Sequence, residues 1–324
     1  MKQSDIDRIW YDGAPVPFWM KALVPLYRAL VAANRLSWSS GLRKPVQLPL
    51  PVVVVGNITA GGTGKTPLVM ALIDALRKRG WKPGVVSRGY GGSADRPMLL
   101  GADSDPAVVG DEPSLIRHRS AVPVATGRKR HQAALLLLDQ DVDVILADDG
   151  LQNPSLVRDV EICVIDGQRR FGNGMLLPAG PLREAANRLD RNQFLVCNGG
   201  QALPGEIPMQ LLGSTAKPVD GNQAPRSLSE FVGQKVHAIA AIGNPKRFFD
   251  SLRSHGIEII EHPFPDHHPL TSADLDFNDS HPILMTEKDA VKCLAFAKAH
   301  HWKVPVDAKL PDSFFDAIDL KLRN

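Results

Sequence analysis

Residues 52–66 read VVVVGNITAGGTGKT, and the residue types at the end of this run are those that handle phosphate. Gly61, Gly62 and Gly64 free the backbone to aim its N–H groups at phosphate oxygens. Lys65 can reach the β- and γ-phosphates, and the Thr66 hydroxyl can hold Mg²⁺. The predicted nucleotide-binding run is Thr59, Ala60, Gly61, Gly62, Thr63, Gly64, Lys65 and Thr66. The usual phosphate-loop pattern has glycine where Thr59 stands, so the reading leans on context: a β-branched strand before, and the helical period of PLVMALIDALRKRG after, with Pro67 where a first-turn N–H is not needed. A second apolar strand, VDVILADDG (142–150), ends in Asp148 and Asp149. Carboxylates at the C-terminal end of a parallel strand face the ligand crevice, and one of the two can join Thr66 on Mg²⁺. Together the motifs predict Mg²⁺-nucleotide chemistry.

Phosphoryl transfer to an alcohol also needs a group that takes the hydroxyl proton. GDEP (110–113) offers Asp111 and Glu112. Arg88, in the Gly-rich loop of GVVSRGYGG, and the basic loop 169–184 with Arg169, Arg170, Asn173 and Arg183 could meet an anionic acceptor; Arg88, Glu112 and Asn173 are the expected acceptor contacts. FPDHHPLT (264–271) places Asp266, His267 and His268 in a loop. By type alone, adjacent histidines are more often exposed loop residues than catalysts, and no ligand spacing for a metal accompanies them.

Strands alternating with helices predict an α/β fold: a P-loop NTPase-like, doubly wound, mostly parallel sheet, followed by a smaller α/β domain. The expected divisions are an N-terminal segment 1–45, a P-loop domain 46–200, and a Gly/Pro/Ser-rich ribbon with the smaller domain over 201–324. In the last part Thr286 and Asp289 have capping-box spacing. The chain has 324 residues, 44% hydrophobic and 23% charged, which excludes collagen, mucin and coiled-coil architectures. Three cysteines with no C-x-x-C pair exclude a zinc framework and fit a reducing compartment.

The net charge of +3 is unevenly placed: residues 1–50 carry seven basic and three acidic groups, whereas the remainder is nearly balanced. This disfavours nucleic acid as a partner and favours an anionic surface near the N-terminus. In FWMKALVPLYRALVAANRLSW (18–38), Lys21, Arg28 and Arg35 recur every seven residues and share one helical stripe. A helix lying in a membrane interface, apolar side down and cations toward headgroups, avoids burying Arg28 in mid-bilayer. Pro25 is expected to kink or split it. The competing readings are a secretory signal, disfavoured by three Asp ahead and Arg28 within, and a helix covering its own domain.

VVVVGNITAGGTGKTP, VVSRGYGG, GDEP, DDGLQ, RDVEICVIDGQRRFGNGMLLPAGPLRE, the DH of FPDHH and MTEKDAVKC, in that order, resemble the tetraacyldisaccharide 4'-kinases of lipid A biosynthesis from about residue 17 to the end. That family's loop also lacks the first glycine, matching Thr59; Asn153 after DDGLQ, where relatives are expected to have His, is a local departure. The resemblance implies transfer of the ATP γ-phosphate to the 4'-hydroxyl of an acylated glucosamine disaccharide 1-phosphate, giving lipid IVA at the cytoplasmic face of the bacterial inner membrane. It implies Asp111 as base and His267 as its partner, and two α/β/α domains joined by a β-ribbon with the acceptor in the cleft. A membrane-cycling regulatory ATPase, the strongest rival, needs a signature Lys where this chain has Ala60. A cytosolic small-molecule kinase would leave the N-terminal stripe as packing only.

Overall fold

A computed structural model describes residues 3–324; Lys2, one of the seven N-terminal basic groups, lies outside the described residues. Two helices open the described chain, the nine-residue α1 (Gln3–Tyr11) and the 22-residue α2 (Phe18–Ser39). Then come β1 (Val52–Gly56), α3 (Lys65–Lys78), β2 (Pro83–Ser87), β3 (Met98–Leu99), α4 (Pro106–Val109), α5 (Asp111–Ser120), β4 (Val124–Thr126), α6 (Arg130–Leu135), β5 (Val144–Asp148), β6 (Val160–Asp166), β7 (Phe194–Asn198) and β8 (Glu206–Leu212). The remainder comprises β9 (Thr215–Pro218), β10 (Arg226–Ser227), β11 (Lys235–Ala240), α7 (Pro245–Ser254), β12 (Glu258–Pro263), β13 (Ile283–Thr286), α8 (Glu287–Cys293), β14 (His301–Val304), β15 (Asp307–Lys309) and α9 (Asp312–Arg323).

The larger sheet has nine strands in the order β15-β8-β7-β6-β1-β5-β2-β4-β3, antiparallel only at its two edge pairs. Every β1 residue is buried, and alternation sends Val53 and Val55 into the core under α3, α5 and α9 while Val52 and Val54 face α6. Strands β5, β2 and β4 lie to one side of β1 and β6, β7 and β8 to the other, so β1 is the switch point where a crevice opens at the carboxyl ends of the strands. The smaller sheet runs β10-β9-β14-β13-β11-β12, with a parallel centre. One face packs on α7 through Phe248, Phe249 and Leu252, and the other on α8 through Ala290 and Cys293. The expected doubly wound α/β fold with a second, smaller sheet is what the chain forms.

The division expected at residue 200 does not coincide with the edge of the larger sheet. Glu206–Leu212 pairs in parallel with β7, Asp307–Lys309 pairs with Glu206–Leu212, and α9 returns to bury Phe314, Phe315 and Ile318 in the first core. The Gly/Pro/Ser content of 199–229 masked the alternating EIPMQLL inside it. Each of two segments therefore passes from one sheet into the other: β8 continues as β9, and β14 as β15. They form a two-stranded antiparallel ribbon joining the sheets, and at its crossover a side chain on Gly213 would meet the Pro305 carbonyl.

Helix α2 runs unbroken through Pro25, so the proline does not split it. Its inward seam is thin: Met20 is buried, Val24 packs beside it, and the Tyr27 hydroxyl donates to the Arg183 carbonyl at 2.9 Å. Phe18, Leu26, Leu30 and Leu36 are 58–85% exposed. The expectation of three cations turned to headgroups needs correction, because Arg35 is ion-paired with Glu184 on the protein body. At 100° per residue the cations flank the inward seam, and the exposed apolar residues take the opposite side. Among the described residues no helix is long and apolar enough to cross a membrane.

The core of the smaller unit depends on Phe231, fully buried, edge-on to Trp302 and capped by Arg226. Phe231→Ala is expected to cost about 3–5 kcal/mol, read from urea denaturation; a loss below about 1 kcal/mol would contradict this packing role.

Candidate active site

The carboxyl edges of the two sheets face each other across a cleft of about 460 Å³. From the larger sheet, the turn after β1 supplies the phosphate loop. Asn57 Nδ2 donates to the Thr59 carbonyl at 2.8 Å, and the Ala60 N–H donates to the Pro181 carbonyl at 2.7 Å, which pins the entry of the loop. Gly61 and Gly64 have φ of +103° and +94°, values that exclude most side chains, and a Cβ on Gly64 would collide with Asn198. Lys65 opens α3, its Nζ 3.3 Å from Asn57 Oδ1 and 3.5 Å from Asp149 Oδ1. From the smaller sheet, the β11–α7 turn approaches so closely that a Cβ on Gly243 would lie 2.6 Å from the Gly62 nitrogen. Backbone meets backbone there.

The two strand-end aspartates differ in environment. Asp149, at φ +50°, lies 3.3 Å from Arg183 Nη1 and its carbonyl accepts from Arg130 at 2.8 Å. Burial would raise its carboxyl, but Lys65, Arg183 and Arg130 hold it well below the ordinary range. Asp148 is fully buried and neither carboxylate oxygen has a hydrogen-bond partner. Burial, with the negative charge of Glu112, pushes it above the usual carboxylate range. A buried carboxylate with open lone pairs, beside the Lys65 that opens α3, is a donor that fits a hard divalent cation. Among the described residues no group of three or more His, Cys, Asp or Glu forms a self-sufficient metal cage.

Asp111 is the first residue of α5, after Gly110 at φ +95°, whose Cβ would press on the Tyr90 carbonyl. His267 sits in the β12–β13 connection at φ +62°, an unusual conformation for histidine, its N–H donating to the Ala241 carbonyl at 3.3 Å. Its Nδ1 lies 3.1 Å from Asp111 Oδ2, and Tyr90 packs edge-on against its ring at 4.8 Å. The two residues expected to work together are brought together from different sheets. Burial would raise the Asp111 carboxyl, yet the His267 hydrogen bond and the charges of Lys292 and Lys288 outweigh it and leave it below its ordinary value.

Lys288 and Lys292, one helical turn apart on α8, had no role assigned from sequence. Lys292 Nζ is 3.3 Å from Asp111 Oδ2 and 3.0 Å from Asp289 Oδ1; Lys288 Nζ is 3.2 Å from Glu112 Oε1. Their i, i+4 spacing was the available signal. Asp289 is fixed as the sequence suggested: Thr286 caps α8, accepting from the Asp289 N–H at 3.2 Å, and Asp289 Oδ2 accepts the Ala241 N–H at 2.9 Å. At the other end of α5, Arg119 donates to Glu287 at 2.7 Å and to the Val306 carbonyl at 2.9 Å.

Two expected acceptor contacts are placed otherwise. The Asn173 amide donates to the carbonyls of Ile9 and Ala179 and accepts from the Met175 N–H, so it braces α1 against the loop and does not line the cleft. Arg88 is exposed outside the cleft lining. Glu112 lines the cleft, as does Arg183. Asn153 closes a local turn on Ser155.

A family model, LpxK, tetraacyldisaccharide-1-P 4'-kinase, matches residues 16–323. The tetraacyldisaccharide 4'-kinase of Stenotrophomonas maltophilia is 50% identical over 323 residues, covering 97% of this chain and 95% of its own. That of Shewanella amazonensis is 47% identical over 326 residues, covering 96% and 93%. Among solved structures, an "apo" form of LpxK from Aquifex aeolicus in complex with ATP superimposes with a TM-score of 0.77 at 25% identity, covering 93% of this chain and 99% of that one. With a phosphate loop, a strand-end carboxylate pair and an aspartate–histidine pair meeting in one cleft, and with these likenesses along nearly its whole length, the chain belongs to the tetraacyldisaccharide-1-P 4'-kinase family.

Proposed function

We propose that this chain transfers the γ-phosphate of ATP to the 4'-hydroxyl of a tetraacylated glucosamine disaccharide 1-phosphate, forming lipid IVA, with Asp111 as the base. The observation that carries the reading is Asp111 itself: a buried carboxylate kept ionised, one oxygen tied to His267, which together with the neighbouring Glu112 lines the cleft that the phosphate loop rims. Amides of residues 61–66 and Lys65 hold the triphosphate, the expected Ala60 amide being taken up by the Pro181 carbonyl. Thr66 and Asp148 would hold Mg²⁺, with Asp149 occupied by Lys65 and Arg183; when bound, the ion neutralises charge on the phosphates. Asp111 accepts the hydroxyl proton as the sugar oxygen attacks the γ-phosphorus in line. Arg183, at the cleft and next to Glu184, is suited to charge that develops on the transferred group or to the acceptor's own phosphate.

The acceptor's acyl chains belong in a bilayer, and α2 supplies the matching surface. Its exposed side carries Phe18, Trp19, Leu23, Leu26, Leu30 and Leu36, while its other side reaches the active-site loop through Tyr27 and Arg35. A monotopic attachment at the cytoplasmic face of the inner membrane puts ATP and the lipid on the two sides of one cleft.

Incubation with γ-labelled ATP and the acylated disaccharide is expected to give labelled lipid; release of label only as inorganic phosphate would support the regulatory-ATPase alternative instead. Asp111→Ala should lower turnover by about 10²–10⁴-fold with ATP binding retained, and near-normal turnover would exclude it as base. The base must be ionised, so activity falls as pH drops through its lowered pKa. His267→Ala removes a contact that lowers that pKa, and the acid limb of kcat/KM should therefore move to higher pH; an unmoved limb would disconnect the pair. Changing Leu26, Leu30 and Leu36 together to Ser removes roughly 1.5–3 kcal/mol of burial each and should release the protein from anionic phospholipid vesicles in co-sedimentation. Unchanged binding would refute attachment through this side of α2.

A further inference from the structure

Lys288 Nζ lies 3.3 Å from His267 Nε2, 3.2 Å from Glu112 Oε1 and 3.4 Å from Asp266 Oδ1. An ammonium group has three hydrogens and no lone pair, so toward a ring nitrogen it can only donate. His267 Nε2 is then the accepting nitrogen, and the ring proton is on Nδ1, the atom 3.1 Å from Asp111 Oδ2. We propose that Lys288 is a positioning residue that fixes His267 as its Nδ1–H tautomer, so that the ring donates to Asp111 and the proton taken from the acceptor hydroxyl stays on Asp111. This rests on the reading of Asp111 as the base.

The surrounding groups are consistent with one direction of donation. Asp111 Oδ2 also receives Lys292 Nζ at 3.3 Å, and Lys292 is itself held by Asp289 Oδ1 and the His268 carbonyl. With Oδ2 engaged by two donors, Oδ1 is the oxygen left for the hydroxyl. Asp266 Oδ1 is 3.7 Å from His267 Nε2, beyond hydrogen-bond range, and is taken up by Lys288. Tyr90 presents only its ring to His267. Burial would lower the Lys288 ammonium, but Glu112, Asp266 and Asp111 outweigh it, so the donor remains charged.

In the transfer step the hydroxyl O–H bond breaks and its proton bonds to Asp111 Oδ1. The oxygen's electron pair forms the new bond to the γ-phosphorus, and the bond from phosphorus to the bridging oxygen breaks, leaving that pair on ADP. Relay of the proton into His267 would have to end on Nε2 and create an imidazolium 3.3 Å from an ammonium, which like-charge repulsion opposes.

The test uses the full chain labelled with ¹⁵N-histidine, with His267 assigned through the signal lost in His267→Gln. The wild-type ring is expected to show a protonated Nδ1 and a lone-pair Nε2. Lys288→Met should give a mixture of tautomers and a fall in kcat of about 10²-fold, with KM for ATP changed by no more than about twofold. Lys288→Arg, which keeps a donor, should restore the single tautomer and most of the rate. An Nε2–H tautomer in the wild type, or Lys288→Met with tautomer and kcat both unchanged, would overturn the proposal. The wild-type spectrum needs no variant, so a Lys288→Met chain that fails to fold leaves the test intact. If Asp111→Ala loses turnover while Lys288→Met does not, the tautomer lock fails and the base stands; if Asp111→Ala keeps its turnover, the base reading fails first.

Discussion

The active site depends on one contact, that of α5 from the larger sheet against α8 from the smaller. The helices run antiparallel, and charge is matched along them: Asp111 with Lys292, Glu112 with Lys288, and Arg119 with Glu287. Apolar packing accompanies the ladder, since Val291 of α8 is buried in the larger unit's core with Leu115 and Val109. Isolated surface ion pairs are worth little, but these are largely withdrawn from solvent and share partners, which makes breaking one member costly. The same helix that docks the smaller unit therefore tunes Asp111, the proposed base, of the larger one.

From this contact follows the division of labour across the cleft. The β1 switch point provides the phosphate loop and the strand-end carboxylates, whereas the smaller sheet provides His267, Lys288 and the Gly243 turn. Neither unit alone holds a complete site. The ribbon made of β8–β9 and β14–β15 belongs to both sheets and fixes which edges can face each other. Helix α2 joins its exposed apolar side to the loop that carries Arg183 and Glu184, so the surface proposed to meet lipid and the cleft are mechanically adjacent.

Much of this was legible in the sequence because local chemistry announced it. Buried β-branched runs ending in glycine, aspartate or threonine gave the parallel strands and the phosphate loop, since each signal lies within about ten residues. The pairing of Asp111 with His267, 156 positions apart, could not be read from spacing and came only through the family resemblance. Lys288 and Lys292 had no role assigned because only the tertiary fold turns that face of α8 toward α5. Asn173 and Arg35 misled for the same reason: a polar side chain in a basic loop, or a cation on a regular stripe, does not reveal which neighbour it will meet. The EIPMQLL strand was hidden by the composition around it.

The central claim is that an acceptor hydroxyl meets a base assembled from both units. A crystal structure with a non-hydrolysable ATP analogue and the acylated disaccharide measures this most directly. The 4'-oxygen should lie within about 2.6–3.2 Å of Asp111 Oδ1 and in line with the γ-phosphorus, with His267 and both lysines still on Asp111 and Glu112. A 4'-oxygen seated instead against Asp149, with Asp111 beyond reach of it or of a bridging water, would contradict the account.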